Sequence, residues 1–328
     1  MDVSFILEDL NEAQRKAVTS ESKKLLVLAG AGSGKTKVLV HRIAWLIKAN
    51  GSSTHSVLAV TFTNKAANEM TGRIEFILDQ PIPEMWCGTF HSISNRILRR
   101  HFREAGLEKE FSILDSDDQL RIIKRILKEQ DIDEDQWPPE KVRWQINSWK
   151  DEARRAKDVD DQGDFNIEIL KRIYSMYEGY MAQENLLDFA ELILKSYELI
   201  KTNRNIRDLY TKKFKHILID EFQDTNSLQF KWIQNLIDAD TTITAVGDDD
   251  QSIYGWRGAK IENINKFAKE KGTQIVRLEQ NYRSTANILN AANAVIGKNS
   301  NRLGKKLWTD GNDGDKIDIF EAYNEEEE

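Results

Sequence analysis

A glycine-rich stretch joins an apolar run to a Lys-Thr pair in residues 25–36, L-L-V-L-A-G-A-G-S-G-K-T. Small residues let backbone N–H groups turn towards phosphate oxygens, and the start of a following helix favours an anion. Lys35 could reach the β- and γ-phosphates of a nucleotide, and the Thr36 hydroxyl could bind Mg²⁺. The stretch predicts a phosphate-binding loop, with a flexible Gly/Ser turn as the alternative. Its predicted members before Lys35 are Ala29, Gly30, Ala31, Gly32, Ser33 and Gly34.

Ala29 departs from the usual pattern, which has glycine six residues before the lysine. A second site supports the loop, because the acids Asp220 and Glu221 directly follow the apolar run at residues 216–219. Asp220 is predicted to hold Mg²⁺ through its water shell, and Glu221 to orient and deprotonate an attacking water. A solvated strand end is the alternative for one acid alone. Together with the loop, the pair favours phosphoryl transfer.

The elements that must position these groups alternate along the chain. Amphipathic stretches such as residues 38–48 separate many short apolar runs, which predicts an α/β fold with a doubly wound parallel sheet. The runs predicted as strands are residues 25–29, 57–62, 216–219, 242–246 and 275–278.

Residues 116–199 have an almost wholly helical pattern and predict a helical insertion within one α/β domain. Asp117 and Asp118 are predicted to cap a helix start, and the W-P-P sequence at residues 137–139 to interrupt the pattern. Beyond a polar loop at residues 310–315, residues 316–321 predict a further strand.

Composition excludes several classes of protein. The chain of 328 residues is 40% hydrophobic, which fits a globular protein of two domains or one domain with a large insertion. Cys87 is the single cysteine, so a disulfide framework and a cysteine zinc site are excluded within one chain. No stretch approaches the length of a membrane span, and residues 1–10 lack the pattern of a secretory signal. We therefore expect a cytoplasmic protein.

The formal charge of −7 does not exclude a nucleic-acid partner, because four glutamates end the chain at residues 325–328 and binding depends on the local field. Two basic clusters could supply such a field, with a solvated helix face as the alternative for each. One consists of Arg96, Arg99, Arg100 and Arg103 on a single helical face. The other, at residues 141–157, contains six basic and two acidic residues with Trp144 and Trp149 between them.

Six further blocks resemble the UvrD/Rep/PcrA group of superfamily 1 DNA helicases, in the order of that family and over nearly the whole chain. They are residues 10–14 (L-N-E-A-Q), 61–67 (T-F-T-N-K-A-A), 88–92 (G-T-F-H-S), 220–224 (D-E-F-Q-D), 247–259 (G-D-D-D-Q-S-I-Y-G-W-R-G-A) and 280–284 (Q-N-Y-R-S). The resemblance implies a RecA-like P-loop NTPase sheet with a helical insertion subdomain. It also implies ATP and Mg²⁺ as cofactors, single-stranded DNA and its junctions with duplex as partners, and 3′-to-5′ translocation.

The resemblance implies roles for four residues around the nucleotide. Gln14 would hydrogen-bond the adenine edge, and Tyr282 would stack on the base. Gln251 would sense the γ-phosphate and link it to the DNA site, and Arg283 would place a guanidinium on that phosphate.

Aromatic side chains predict the DNA track, because bases stack on exposed rings. The resemblance implies that Phe62 and Trp256, with Tyr254, stack bases and that Arg257 adds positive charge beside them. A core position is the alternative for Phe62. The residues expected to touch phosphates or sugars are Thr63, Asn64, Thr89 and His91. His91 has no partner at metal-ligand spacing in the sequence.

The expected division is a RecA-like domain in two parts, residues 1–115 and 200–285, the insertion at 116–199, and the start of a second RecA-like domain at 286–328. Because few residues follow Arg283, the chain is expected to be the N-terminal half of a helicase. We then expect binding of ATP–Mg²⁺ and weakly of DNA, slow hydrolysis and no unwinding by the chain alone.

Three alternatives remain open. One is a fragment of a helicase–nuclease subunit, and another is an ATP-dependent binding switch that does not translocate. The third, a P-loop kinase or transport ATPase, leaves Phe62 and Trp256 without a role.

Overall fold

The computed structural model describes residues 3–299 and 302–318. Six parallel strands form the central sheet in the order β3-β2-β6-β7-β1-β8, and β4 pairs with β5 in a separate two-stranded sheet. The strands are β1 (Lys24–Ala29), β2 (Val57–Thr61), β3 (Trp86–Thr89), β4 (Ser112–Ile113), β5 (Leu186–Leu187), β6 (His216–Ile219), β7 (Thr242–Gly247) and β8 (Thr273–Leu278). The predicted α/β fold with a parallel sheet is confirmed.

All five predicted strands are present, with ends that differ by two residues or fewer. The sequence pattern did not predict β3, because Trp86–Thr89 is only four residues long and includes a glycine. It forms nonetheless, since its backbone pairs with β2 and Trp86 is buried against α9.

The described residues contain twelve α-helices. They are α1 (Glu12–Val18), α2 (Lys35–Lys48), α3 (Asn64–Leu78), α4 (Phe90–Arg100), α5 (Ser116–Glu129), α6 (Pro139–Asp151), α7 (Phe165–Gln183), α8 (Phe189–Thr202), α9 (Arg204–Lys213), α10 (Ser227–Gln234), α11 (Glu262–Lys269) and α12 (Ala286–Ile296). None of the described helices is long and apolar enough to cross a membrane.

Both faces of the sheet are buried, because side chains alternate along each strand. In β1, Leu26 and Leu28 pack into one hydrophobic core, while Leu25, Val27 and Ala29 pack into the core on the opposite face. Because the six strands are parallel, their carboxyl ends all lie at one edge of the sheet.

Helices α5–α8 occupy the region predicted as helical, and α5, α6 and α7 share a third core that includes Ile123, Ile146 and Tyr177. Helix α5 begins at Ser116, and its cap lies two residues before the predicted Asp117. Asp115 caps it by accepting hydrogen bonds from the backbone N–H groups of Asp117 and Asp118. The predicted interruption is present, since α6 begins at Pro139.

The described residues after α12 return to the sheet. Trp308 forms a parallel bridge with Gln280 beyond the end of β8. Residues 316–318 are not in a strand, and residues 319–321 of the predicted final strand lie outside the described residues, as do the terminal glutamates.

Candidate functional site

A cavity of about 350 Å³ lies at the carboxyl-end edge of the central sheet, where ligands of open parallel sheets collect. Segments that follow β1, β6, β7 and β8 contribute to it, as does α3. Its lining residues are Gly30, Ala31, Gly32, Gly34, Lys35, Thr36, Lys37, Arg73, Glu221, Gln251 and Arg283. Most predicted nucleotide residues therefore share one cavity, although they are far apart in sequence.

The glycine loop has a conformation that requires glycine at two positions. Gly32 and Gly34 have φ angles of +68° and +89°, in the left-handed region. A Cβ atom on Gly34 would lie 2.7 Å from Gln14 Nε2, and one on Gly32 would lie 2.7 Å from Arg283 Cβ. Helix α2 begins immediately afterwards at Lys35, so its first N–H groups face the cavity end of the loop.

Two predicted loop residues support the loop from behind. Ala29 is the buried last residue of β1, which explains how alanine is accommodated where the usual pattern has glycine. Ser33 is also buried, and its hydroxyl donates a 2.8 Å hydrogen bond to the carbonyl of Gly30. Neither residue lines the cavity.

Lys35 and Glu221 face each other at the cavity. Lys35 Nζ lies 2.8 Å from Glu221 Oε2 and 3.5 Å from Gln251 Oε1. Glu221 has a φ of +48°, an unusual backbone conformation for a residue with a side chain. An ammonium and a carboxylate thus meet at the end of the glycine loop, as phosphate binding beside a general base requires.

The neighbouring acids fit a divalent cation. Burial, with Glu221 as the second cause, raises the pKa of Asp220 to about 6. The same two causes raise the pKa of Asp224 to about 6, and its buried Oδ1 atom has no hydrogen-bond partner among the described residues. Carboxylate oxygens with unmet acceptor capacity are the ligands that Mg²⁺ prefers, and Thr36 offers a hydroxyl in the adjoining cavity.

A hydrogen-bond chain joins the segments after β6 and β7. Gln223 Nε2 donates to Glu221 Oε2 at 2.8 Å, and Gln223 Oε1 accepts from the backbone N–H of Asp248 at 2.9 Å. Gln251 Nε2 in turn donates to the Asp248 carboxylate. The side-chain amides of Gln223 and Gln251 are therefore connected through Asp248. This chain holds the segments after β6 and β7 together beside Glu221.

The segment after β8 closes the other side of the loop. Asn281 Nδ2 donates to the carbonyl of Ala31 at 2.6 Å, and the N–H of Tyr282 donates to the carbonyl of Gly32 at 2.9 Å. These bonds place Arg283 in the cavity wall. The Tyr282 ring is exposed, as a ring that stacks on a base must be.

Gln14 lies beside the cavity rather than in its wall. Its Nε2 donates to the carbonyl of Ser33 at 3.0 Å, and its Oε1 accepts from the N–H of Asn11 at 3.1 Å. One amide hydrogen and one oxygen lone pair remain for an adenine edge.

The predicted DNA aromatics form one continuous surface, which we call the aromatic platform (Phe62, Tyr254, Trp256 and Arg257). Phe62 and Tyr254 stack with their ring centroids 5.5 Å apart, and Tyr254 and Trp256 are 6.4 Å apart. Arg257 Cζ lies 4.7 Å from the Trp256 ring centroid. Trp256 is 67% exposed, so the platform presents an open ring face beside a positive charge.

The polar DNA residues lie at strand ends and helix starts. Thr63 caps α3 by accepting from the N–H of Ala66, and Thr89 caps α4 by accepting from the N–H of Ser92. Asn64 is exposed in the first turn of α3. His91 packs edge-on against Phe189, and burial lowers its pKa, which favours the neutral imidazole.

The basic clusters are largely engaged within the chain. Arg96 Cζ lies 4.0 Å from the Trp86 ring centroid, and Arg99 Cζ lies 3.6 Å from that of Phe111, so both guanidinium groups cover buried rings. Arg100 and Arg103 lie 5.9 Å and 5.5 Å from the centroids of Trp86 and Phe102.

In the second cluster, buried Lys150 pairs with Asp188 and Glu191 at 2.7 and 2.9 Å, and Arg155 pairs with three glutamates. The solvated-face interpretation is wrong for Lys150 and Arg155, and their charge is neutralised before any DNA could use it.

Five residues of the site were not predicted from the sequence. Lys37 and Arg73 bring two further cations to the cavity wall, Gln223 positions Glu221, Asn281 secures the glycine loop, and Asp224 adds a buried carboxylate near Glu221. Gln223 and Asn281 lie inside the recognised blocks and could have been found there. Arg73 had no local signal, because only the packing of α3 brings it to the cavity.

Comparison with protein families agrees with this geometry. Residues 10–272 match the model of the UvrD/REP helicase N-terminal domain, and residues 276–328 match that of the UvrD-like helicase C-terminal domain.

Curated relatives align over nearly the whole chain. DNA helicase II of Escherichia coli strain K12 is 51% identical over 329 residues, covering 100% of this chain and 46% of the relative. The probable DNA helicase II homolog of Rickettsia conorii is 44% identical, covering 98% and 50%. ATP-dependent DNA helicase PcrA of Bacillus subtilis strain 168 is 42% identical, covering 98% and 44%. The chain thus spans about half the length of these relatives, and it belongs to the UvrD/REP helicase family.

Proposed function

We propose that this chain is the ATP- and single-stranded-DNA-binding portion of an ATP-dependent DNA helicase that translocates 3′ to 5′. The observation that carries the proposal is the 2.8 Å contact between Lys35 and Glu221 at the end of the glycine loop. That pair brings a phosphate-binding cation and a general base to one cavity, and the segment that carries Gln251 also carries Tyr254 and Trp256 of the aromatic platform.

A nucleotide triphosphate would lie along the glycine loop. The N–H groups at the start of α2 would bind its phosphate oxygens, and Lys35 would exchange its contact with Glu221 for the β- and γ-phosphates. Arg283 would place a second positive charge on the γ-phosphate from the opposite wall. Tyr282 would stack on the base beside Gln14.

Thr36 and Asp220 would hold Mg²⁺, with Asp224 close behind them. The ion would neutralise charge on the phosphates. The raised pKa values of Asp220 and Asp224 support this assignment, because a nearby cation would stabilise both buried carboxylates.

Glu221 would orient the attacking water and accept its proton once Lys35 has turned to the phosphates. Gln223 holds Glu221 Oε2 by a 2.8 Å hydrogen bond and so fixes the direction of that carboxylate. Gln251 would respond to the γ-phosphate and pass the change to Tyr254, three residues further along the same segment.

DNA bases would stack on Trp256 and on the Phe62–Tyr254 pair. Asn64 and the helix starts at Thr63 and Thr89 would meet the phosphates or sugars, with neutral His91 as a hydrogen-bonding group. All six strands of the central sheet lie within residues 1–115 and 200–285, which are the proposed RecA-like parts. Residues 116–199 are the proposed insertion, and residues 286–328 the start of a second domain.

Equilibrium binding of a fluorescent ATP analogue with Mg²⁺ tests the nucleotide site. Lys35→Met should weaken binding at least about tenfold, since a charged hydrogen bond to phosphate is lost. Lys48→Met, at the other end of α2, is the matched control and should bind like wild type. Equal binding by wild type and Lys35→Met would overturn the proposal.

DNA-stimulated phosphate release then separates a motor from a switch. A motor should hydrolyse ATP faster with oligo(dT) than without it, and Lys35→Met should abolish the increase. Intact nucleotide binding without any stimulation would favour the non-translocating switch.

A further inference from the structure

Three consecutive aspartates, Asp248, Asp249 and Asp250, bring their carboxylates together directly after β7. One oxygen of each lies within 4.8 Å of the others, and Asp248 and Asp249 are buried. Like charges at this separation repel strongly where water is excluded. The segment can keep this conformation only with positive charge beside it.

That charge comes from a distant part of the chain. Lys305 Nζ lies 3.1 Å from Asp249 Oδ1 and 2.6 Å from Asp250 Oδ2, and it also contacts Asp248. Arg302 binds Asp250 through two hydrogen bonds of 2.6 Å each. The Lys305 side chain is 3% exposed, so its three ion pairs are made in a site from which water is excluded.

The same segment also contacts the glycine loop. A Cβ atom on Gly30 would lie 2.4 Å from Leu307 Cδ2, so the leucine packs directly on the loop backbone. Trp308 then exchanges backbone hydrogen bonds with the strand segment around Gln280. Residues 302–308 therefore touch the segments after β1, β7 and β8 at once.

Asp248 links Lys305 to both sides of the cavity. Its carboxylate accepts from Gln251, whose Oε1 lies 3.5 Å from Lys35 Nζ. Its backbone N–H donates to Gln223, which holds Glu221. A displacement of the aspartates would therefore move the side-chain amide of Gln251, which faces the cavity, together with Tyr254 of the aromatic platform.

We propose that Lys305, assisted by Arg302, is a positioning residue that couples nucleotide binding to DNA binding. It holds residues 248–250 so that Gln251 faces the cavity. The inference rests on the proposed function and deepens it. Lys305 lies in the part matched by the C-terminal family model, whereas the aspartates lie in the part matched by the N-terminal model. The contact would thus let the second part of the motor set the geometry of the first.

The test measures whether nucleotide binding to the chain changes its equilibrium affinity for DNA. Oligo(dT) affinity is measured by fluorescence anisotropy with and without the non-hydrolysable analogue AMP-PNP and Mg²⁺. The coupling factor is the ratio of the oligo(dT) affinities measured with and without the analogue. In wild type the two affinities should differ at least about fivefold, and in Lys305→Met they should differ by less than about twofold. Lys306→Met, the exposed neighbour, should leave the factor unchanged.

A charge-compensated variant distinguishes coupling from packing. Lys305→Met with Asp249→Asn removes one charge of each sign and should regain part of the coupling, and Arg302→Gln should give an intermediate factor. The inference is wrong if a folded Lys305→Met chain keeps the wild-type coupling factor. If Lys305→Met does not fold, the inference is wrong if Arg302→Gln keeps the wild-type factor. A wild-type chain that binds both ligands without coupling overturns the inference alone. One that does not bind nucleotide overturns the proposed function as well.

Discussion

Phe62 and Tyr254 stack with their ring planes inclined by 20°, although 191 residues separate them and each follows a different strand. The pair forms because β2 and β7 lie on either side of β6 in the sheet and end at the same edge. Trp256 extends the surface towards solvent. The order of the strands, rather than any local motif, therefore builds the stacking surface.

Trp256→Ala should weaken oligo(dT) binding about tenfold, because base–aromatic stacking contributes roughly 1–3 kcal/mol per base. Nucleotide binding should be unaffected, since Trp256 does not line the cavity. Trp144, exposed on α6, provides the matched control, and Trp144→Ala should bind DNA like wild type. Equal losses in both variants, measured by anisotropy, would refute a specific platform.

Lys150→Met should destabilise the fold by about 3 kcal/mol. It would leave the buried carboxylates of Asp188 and Glu191 without their shared cation. Lys141→Met, exposed on the same helix, should change stability by less than about 0.5 kcal/mol. Urea unfolding followed by circular dichroism measures both. If Lys150→Met is as stable as wild type, the buried ion pairs are not what Lys150 is needed for, and Lys150 is again a candidate DNA contact.

Asp151→Asn should stabilise the protein at pH 8 and not at pH 4. Burial, with Asp188 as the second cause, raises the pKa of Asp151 to about 7, while its Oδ1 accepts a 2.8 Å hydrogen bond from Asn226 that asparagine can keep. The folded state therefore holds a proton that the unfolded chain has lost, and stability falls as pH rises from about 4 through 7. The substitution removes this cost, on the order of 4 kcal/mol at pH 8.

Thermal unfolding at the two pH values is the measurement for Asp151→Asn. Asp313→Asn, at an exposed aspartate, is the control and should show no pH-dependent gain. A gain that is equal at pH 4 and pH 8 would contradict the assignment of the effect to ionisation.

The sequence predicted the sheet well where burial controls the pattern. Residues of β1, β2, β6 and β7 are apolar on both faces, so their short runs stand out. Strand β3 was not predicted because its stability comes from pairing with β2 and from Trp86 packing on Tyr210 of α9. Such contacts are distant in sequence and leave no local pattern.

The residues of the candidate site could be predicted where they lie in the glycine-rich stretch or in the six sequence blocks that resemble the helicase family. Lys35, Glu221, Gln251 and Arg283 line one cavity, as expected for residues at strand ends. Charge was predicted less well, because basic residues were counted without their partners. Lys150 pairs with acids on α8 and just before it, and no spacing rule connects them. Lys305 was missed for the same reason.

Removing the methyl group of Ala29 and adding one at Gly34 should affect different properties of the protein. Ala29 ends a buried strand, so Ala29→Gly should cost about 1 kcal/mol of stability and leave nucleotide affinity unchanged. Gly34 has a φ of +89°, and a Cβ there would lie 2.7 Å from Gln14 Nε2, so Gly34→Ala should lower nucleotide affinity at least about tenfold. Fluorescent-nucleotide titration with a thermal unfolding curve for each variant measures both effects. If Ala29→Gly bound the nucleotide more tightly than wild type, residue 29 would belong to the phosphate-binding loop. Its burial in β1 would then not explain why alanine is tolerated there.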